Sequence, residues 1–183
     1  MKKFIVLILL SVLFLSFSSS KHDNFPVPTG IPNMLFYVQR SLNKNTIIYQ
    51  LNTDQNEVLN ELEPIKMYWV NYAGKGDREA LNYIQKKYAY GIEVSELDKE
   101  KKTFCFNFVS YKKQLLYLIK SGQDKKYHVF GYFNNRLLLI NNIYIHIEGG
   151  TFWTPKVKYT EVMARDAIKN EEVKEKIIIE KNG

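Results

Sequence analysis

The sequence predicts a mainly β protein, an antiparallel meander that closes as a barrel or sandwich, with one packed α-helix at about residues 78–88. Three observations carry this. From Thr103 onward, runs rich in β-branched and aromatic residues recur between short turn signals. Between 65 and 72, Ile65, Met67 and Trp69 alternate with Lys66, Tyr68 and Val70, the period of a half-buried strand. After Asp77 alone does the apolar spacing turn helical. With 183 residues, 45% hydrophobic and 25% charged, the chain can bury a core without staples, and its single Cys105 excludes an intrachain disulfide framework.

Met1, Lys2 and Lys3 precede an uncharged apolar run from Phe4 to Phe17, and Ser18, Ser19 and Ser20 follow. That is the layout of a secretory signal, so 1–20 is expected to be a signal peptide. The run is shorter than the roughly 20 residues of a spanning helix, so no stable membrane anchor is expected after cleavage. The expected compartment is periplasmic or extracellular. Removing Lys2 and Lys3 from 26 basic residues against 19 acidic leaves a net charge of +5. Pro26, Pro28, Pro32 and Gly30 make 21–33 an extended lead-in, and 34–183 reads as a single β-rich domain.

Within that domain, 34–40 and 45–52 predict a hairpin across a loop at 41–44. Asp77 is placed to cap a helix in which Leu81, Ile84 and Tyr88 recur at spacings of three and four, and Gly91 to end it. Strands are expected at 103–110, 114–120, 126–133, 136–148 and 155–164. The intervening turns fall at 111–113, 121–125, Asn134 with Asn135, and Gly149 with Gly150. The segment 171–181 reads as a strand on the strength of Ile177, Ile178 and Ile179. Short links imply antiparallel neighbours.

Basic and acidic residues interleave, so no nucleic-acid partner is expected. The meander brings Lys99, Lys101, Lys102, Lys120, Lys125 and Lys126 to one rim, where Asp98, Glu100, Asp124 and Glu148 largely neutralise them. Gly74, Lys75 and Gly76 fit no phosphate-loop spacing and read as a flexible strand-to-helix connection. A regular ladder puts His128 and His146 on opposite faces, whereas a bulge at Asn141 and Asn142 would bring them to one; either way no metal site and no cofactor are expected. Cys105 alternates with Phe104, Phe106 and Phe108 and reads as a packed thiol.

On the strand after Asn141, the faces divide into Ile143, Ile145 and Ile147 against Asn142, Tyr144, His146 and Glu148. The second set, with the aromatic Trp69 and Tyr72, is the candidate ligand-binding group. His146 and Glu148 are also the candidate catalytic residues, because an imidazole two positions from a carboxylate can exchange a proton. The expected function is a non-catalytic ligand-binding or envelope-interaction module, its partner a small molecule, glycan or envelope component. The competing expectation is a small envelope hydrolase using His146 and Glu148.

Pro32-Asn-Met-Leu-Phe-Tyr-Val-Gln-Arg40, then Asn45-Thr-Ile-Ile-Tyr49, then Pro64 leading into Tyr68-Trp69-Val-Asn-Tyr72, and then Tyr88-Ala-Tyr-Gly91 resembles the bacterial family termed domain of unknown function 4833. The likeness runs from about Pro32 to the C-terminal strand. It implies an exported, single-domain bacterial protein and transfers no catalytic residue.

Overall fold

A computed structural model describes residues 25–72, 74–151 and 154–179; the expected leader at 1–20 and the first part of the lead-in lie outside the described residues. The strands are β1 (Met34–Arg40), β2 (Asn43–Leu51), β3 (Ile65–Asn71), β4 (Asp77–Ala80), β5 (Ile92–Asp98), β6 (Thr103–Phe108) and β7 (Tyr111–Lys120). They continue with β8 (Tyr127–Phe133), β9 (Arg136–Gly150), β10 (Pro155–Asp166) and β11 (Glu172–Ile178), and the helix α1 (Tyr83–Tyr88) lies between β4 and β5.

β9 is the spine. Its fifteen residues exceed the length of every neighbour, and the next longest, the twelve-residue β10, pairs along one edge from Leu138 to Gly150. The other edge is shared end to end: β8 takes Arg136 to Leu139 and β1 takes Asn142 to Ile145. Two arms therefore leave the same edge, β1-β2-β3-β4 and β8-β7-β6-β5, and the sheet curls into a half-barrel. The β1–β9 pair is parallel, which short-link reasoning did not anticipate because those strands are far apart in the chain. The outer strands of the arms, β4 and β5, are consecutive in sequence and joined through α1.

The arms meet through aromatic rings. Phe36 stacks on Tyr49 at 4.4 Å between centroids, and Phe106 and Phe108 of the facing arm lie 6.4 and 6.2 Å from Phe36. Such contacts combine a large apolar area with few rotamers to freeze, which suits a core without covalent staples. Phe104 and Phe106 are buried while Cys105 between them is half-buried, as strand alternation requires.

Local chemistry fixes the turns. Asn134 and Asn135 both adopt left-handed φ, 47° and 62°, which makes the β8–β9 link a two-residue primed hairpin. At Asn141 the β9–β10 register slips, Ala164 facing Ile140 and Met163 facing Asn142, so one residue bulges out. That bulge lets Leu138, Ile140, Ile143 and Ile145 all face inward. It also carries His146 to the same outer face as His128, yet no cluster of three metal-ligating groups exists among the described residues.

Several boundaries differ from expectation. The helix starts at Tyr83 rather than Arg78, because Asp77–Ala80 spends its backbone in a ladder with β3, Val70 facing Arg78 and Tyr68 facing Ala80. Asn82, not Asp77, is the cap: its side-chain oxygen accepts from the Gln85 backbone N–H, while the Asn82 backbone N–H donates to Gln85 Oε1. Gly74 to Gly76 thus joins two strands rather than a strand to a helix. Gly91 does follow the helix, and a Cβ there would lie 1.8 Å from the Lys86 carbonyl oxygen, so only glycine permits that approach. β5 was not expected, because the charge run from Glu96 to Lys102 masks the alternation of Ile92 and Val94 with Glu93 and Ser95. Residues 111–113 extend β7, and β2 begins at Asn43 within the expected loop.

Candidate functional site

The inner face of the half-barrel holds a cavity of about 170 Å³. Val38 and Tyr49 contribute from one arm, Phe108, Leu116 and Phe133 from the other, and Ile143, Ile145, Val162 and Ile177 from the β9–β10–β11 ribbon. Ala89 and Tyr90, just past α1, complete the wall, and the polar side chains reaching it include Ser110, Gln114 and Thr160. Gly131 is part of its construction: a Cβ there would come within 2.7 Å of Leu116 and of Phe133, two residues that line the cavity.

Tyr90 is fixed from behind. The Tyr49 hydroxyl donates to the Tyr90 carbonyl at 2.7 Å, and the Arg40 guanidinium donates to the Tyr90 hydroxyl at 2.7 Å. Trp69 packs edge-on against the Tyr90 ring at 5.3 Å, and its indole N–H donates to Gln85 Oε1. Arg40 lies over both rings, 5.0 Å from Trp69 and 5.8 Å from Tyr90, and its buried Nε has no hydrogen-bond partner. Burial pushes the Tyr90 hydroxyl above its ordinary pKa against the opposing pull of Arg40, and burial pushes Tyr49 well above. Both phenols are therefore neutral wall groups at ordinary pH.

A second, more polar concavity of about 240 Å³ adjoins the first, sharing Tyr111, Gln114, Phe133 and Ile177 with it. Tyr132, Asn134, Glu175 and Lys176 complete this vestibule. The Glu175 carboxylate pairs with Arg136 and accepts from Asn134 at 2.7 Å, latching β11 to the β8–β9 turn. The Lys176 ammonium lies 3.8 Å over the Tyr159 ring. Gln114 donates its amide to the Leu115 and Tyr132 carbonyls. The vestibule thus presents phenols and amides with its charges already engaged.

The candidate quartet occupies the other side of the ribbon. Asn142, Tyr144, His146 and Glu148 share a face, as their spacing requires, and that face is the outer one. Tyr144 is buried, with the Phe25 ring edge-on at 5.6 Å. His146 stacks on Tyr159 at 4.5 Å, and Glu148 pairs with Lys158 at 2.9 Å. Beside them Glu161 pairs with Lys174 at 3.0 Å. Trp69 supports Tyr90 instead of lining the cavity, and the Tyr72 hydroxyl is pushed up by burial. On the same outer surface the Tyr68 hydroxyl is buried without a partner, beneath the Arg78 guanidinium.

Of the lysines expected at one rim, Lys101 pairs with Asp98 and Lys102 with Glu61, while Glu148, expected there too, pairs with Lys158 instead. Asp124 meets His128 at 2.7 Å. The Lys126 amide, and after it the His128 side chain, hold the Asp124 carboxyl down at about 2.

Sequence reasoning missed Tyr90, Tyr111, Gln114 and Thr160 as wall residues. One signal for the cavity was available: on the inner face of β10, Thr160 and Ala164 flank Val162, small side chains where a filled core wants bulk.

Residues 36–176 match the family model described as Domain of unknown function (DUF4833), in agreement with the resemblance carried by the motifs. No curated protein and no solved structure matches the chain significantly.

Proposed function

Given that the chain belongs to the DUF4833 family, we propose that it is an exported, non-catalytic binding protein of the bacterial envelope that seats the apolar part of an amphiphilic ligand inside its half-barrel. The observation that carries this is the cavity, about 170 Å³ and walled almost wholly by hydrocarbon and aromatic surface. Apolar cavities of about 150 Å³ stay dry and accept benzene, so this one has room for a single ring or a short hydrocarbon segment. Burial is worth roughly 0.8 kcal/mol per methylene, so six carbons supply on the order of 5 kcal/mol before the cost of immobilising the ligand. Affinity for such a fragment is accordingly near millimolar, and contacts of a polar end with Tyr111, Gln114, Tyr132 and Asn134 would add to it.

The hydrolase reading receives less support. His146 and Glu148 lie outside the cavity and are engaged by different residues of β10.

The test is calorimetric titration of the processed chain with alkyl glucosides of increasing chain length. Affinity should rise about fourfold per methylene until the cavity fills and then level off. Binding that is absent, or independent of chain length, would refute the reading.

A further inference from the structure

The helix α1 presents a surface that the cavity does not explain. None of its six residues is buried, although half are aromatic or aliphatic: Tyr83 is 70% exposed, Ile84 41% and Tyr88 63%. The helix carries Lys86 and Lys87 and no acidic residue. The Lys87 ammonium lies over both tyrosines, 5.4 Å from the Tyr83 ring and 5.3 Å from that of Tyr88. Exposed aromatics gathered around ammonium groups that no carboxylate neutralises are well suited to a layer that is half hydrocarbon and half charge.

This surface adjoins the cavity. The Ser110 hydroxyl donates to the Ala89 carbonyl at 2.6 Å and the Val109 amide to the Gly91 carbonyl at 2.9 Å, tying the end of α1 to the β6–β7 turn. Ala89, Tyr90, Ser110 and Tyr111 all line the cavity. β7 then exposes Lys112 and Lys113; Glu93 holds Lys112 at 2.8 Å. Among the described residues, no carboxylate lies within ion-pair distance of Lys86, Lys87 or Lys113.

We infer that α1, with the start of β7, docks on an anionic lipid bilayer and holds the cavity mouth beside it. Tyrosine rings sit at the headgroup level, Ile84 reaches the acyl boundary, and the three lysines meet phosphate. The charge complementarity would also fit an acidic protein. The choice of a bilayer rests on the proposed cavity function, since a membrane is where an amphiphile with a hydrocarbon tail would be taken up or released.

The test is co-sedimentation of the processed chain with vesicles of phosphatidylcholine alone, or of phosphatidylcholine mixed with phosphatidylglycerol, at low and high salt. Partitioning should be at least about tenfold greater on the phosphatidylglycerol vesicles at low salt, and the preference should shrink in high salt. Lys86→Glu with Lys87→Glu should remove the preference. Tyr83→Ser with Tyr88→Ser should lower partitioning about tenfold at both salt levels. Because α1 is unburied, these variants should keep the thermal midpoint of the parent. The inference fails if the parent ignores both vesicles, if the tyrosine pair is dispensable, or if soluble polyglutamate competes as well as the lipid does. Alkyl glucoside titration of the parent separates the two ideas: titration without vesicle binding overturns the docking surface alone. Vesicle binding without titration overturns the cavity reading.

Discussion

The two faces of the β9–β10–β11 ribbon come from the same residues in alternation and end in opposite conditions. Outside, polar side chains consume one another: Glu148 takes Lys158, Glu161 takes Lys174, His146 stacks on Tyr159 and Lys176 lies over that same ring. Inside, Ile143, Ile145, Val162 and Ile177 turn toward the facing arms and leave a cavity. A set of functional residue types on one strand face is therefore a poor guide to a site when the next strand supplies complementary partners at the facing positions. Capacity for a ligand lies where side chains leave space, and here that is the apolar side.

The contrast can be broken by mutation, most forcefully from the inside. Phe36→Ala removes the ring on which the arms meet and should cost about 3–5 kcal/mol in chemical denaturation; a loss near 1 kcal/mol would mean the arms are held by something else. Gly91→Ala forces a methyl against the Lys86 carbonyl and should cost about 2–3 kcal/mol, read in the same way. Val157→Phe, at a half-buried wall position, should weaken alkyl glucoside binding at least tenfold while leaving the thermal midpoint close to that of the parent.

Changes on the outer face should be smaller. His146→Ala loses one ring stack and should cost roughly 0.5–1.5 kcal/mol, and Glu148→Ala, whose partner is exposed, less than about 1 kcal/mol. Neither should alter ligand affinity; a large drop in binding with folding preserved would restore the quartet as the site. The smallest effect concerns Asp124. Its pKa lies below the ordinary aspartate range in the folded protein, so its stabilising contribution is present above that range and is lost as pH falls through about 2. Because the Lys126 amide is the larger cause, His128→Gln should undo only a minor part of the depression in a carboxyl NMR titration. A full return to the ordinary range would show the imidazole to be dominant.

Much of the architecture was legible in the sequence. β1, β3, β6, β8 and β10 announce themselves through branched and aromatic runs, and Asn134 with Asn135 specifies its own turn. β4 was hidden because Leu81, Ile84 and Tyr88 imitate a helical stripe, whereas the Asn82–Gln85 box marks the true start and two of the three stripe residues stay exposed. The quartet was legible as the face opposite the isoleucine core, but its side relative to His128 was not, since the bulge at Asn141 depends on pairing with β10. Tyr90 was invisible as a wall residue, because what fixes it comes from Arg40, Tyr49 and Trp69, each more than twenty positions away or on another arm.

The proposed ligand site belongs to the inner face of the half-barrel. Methyl-resolved NMR of the chain from Lys21 onward, titrated with hexyl glucoside, tests it most directly. Progressive shifts at Ile143, Ile145, Val157 and Ile177, with the His146 ring unmoved, are the predicted result; shifts gathered around His146, Tyr144 and Tyr159 with the inner methyls silent would contradict it.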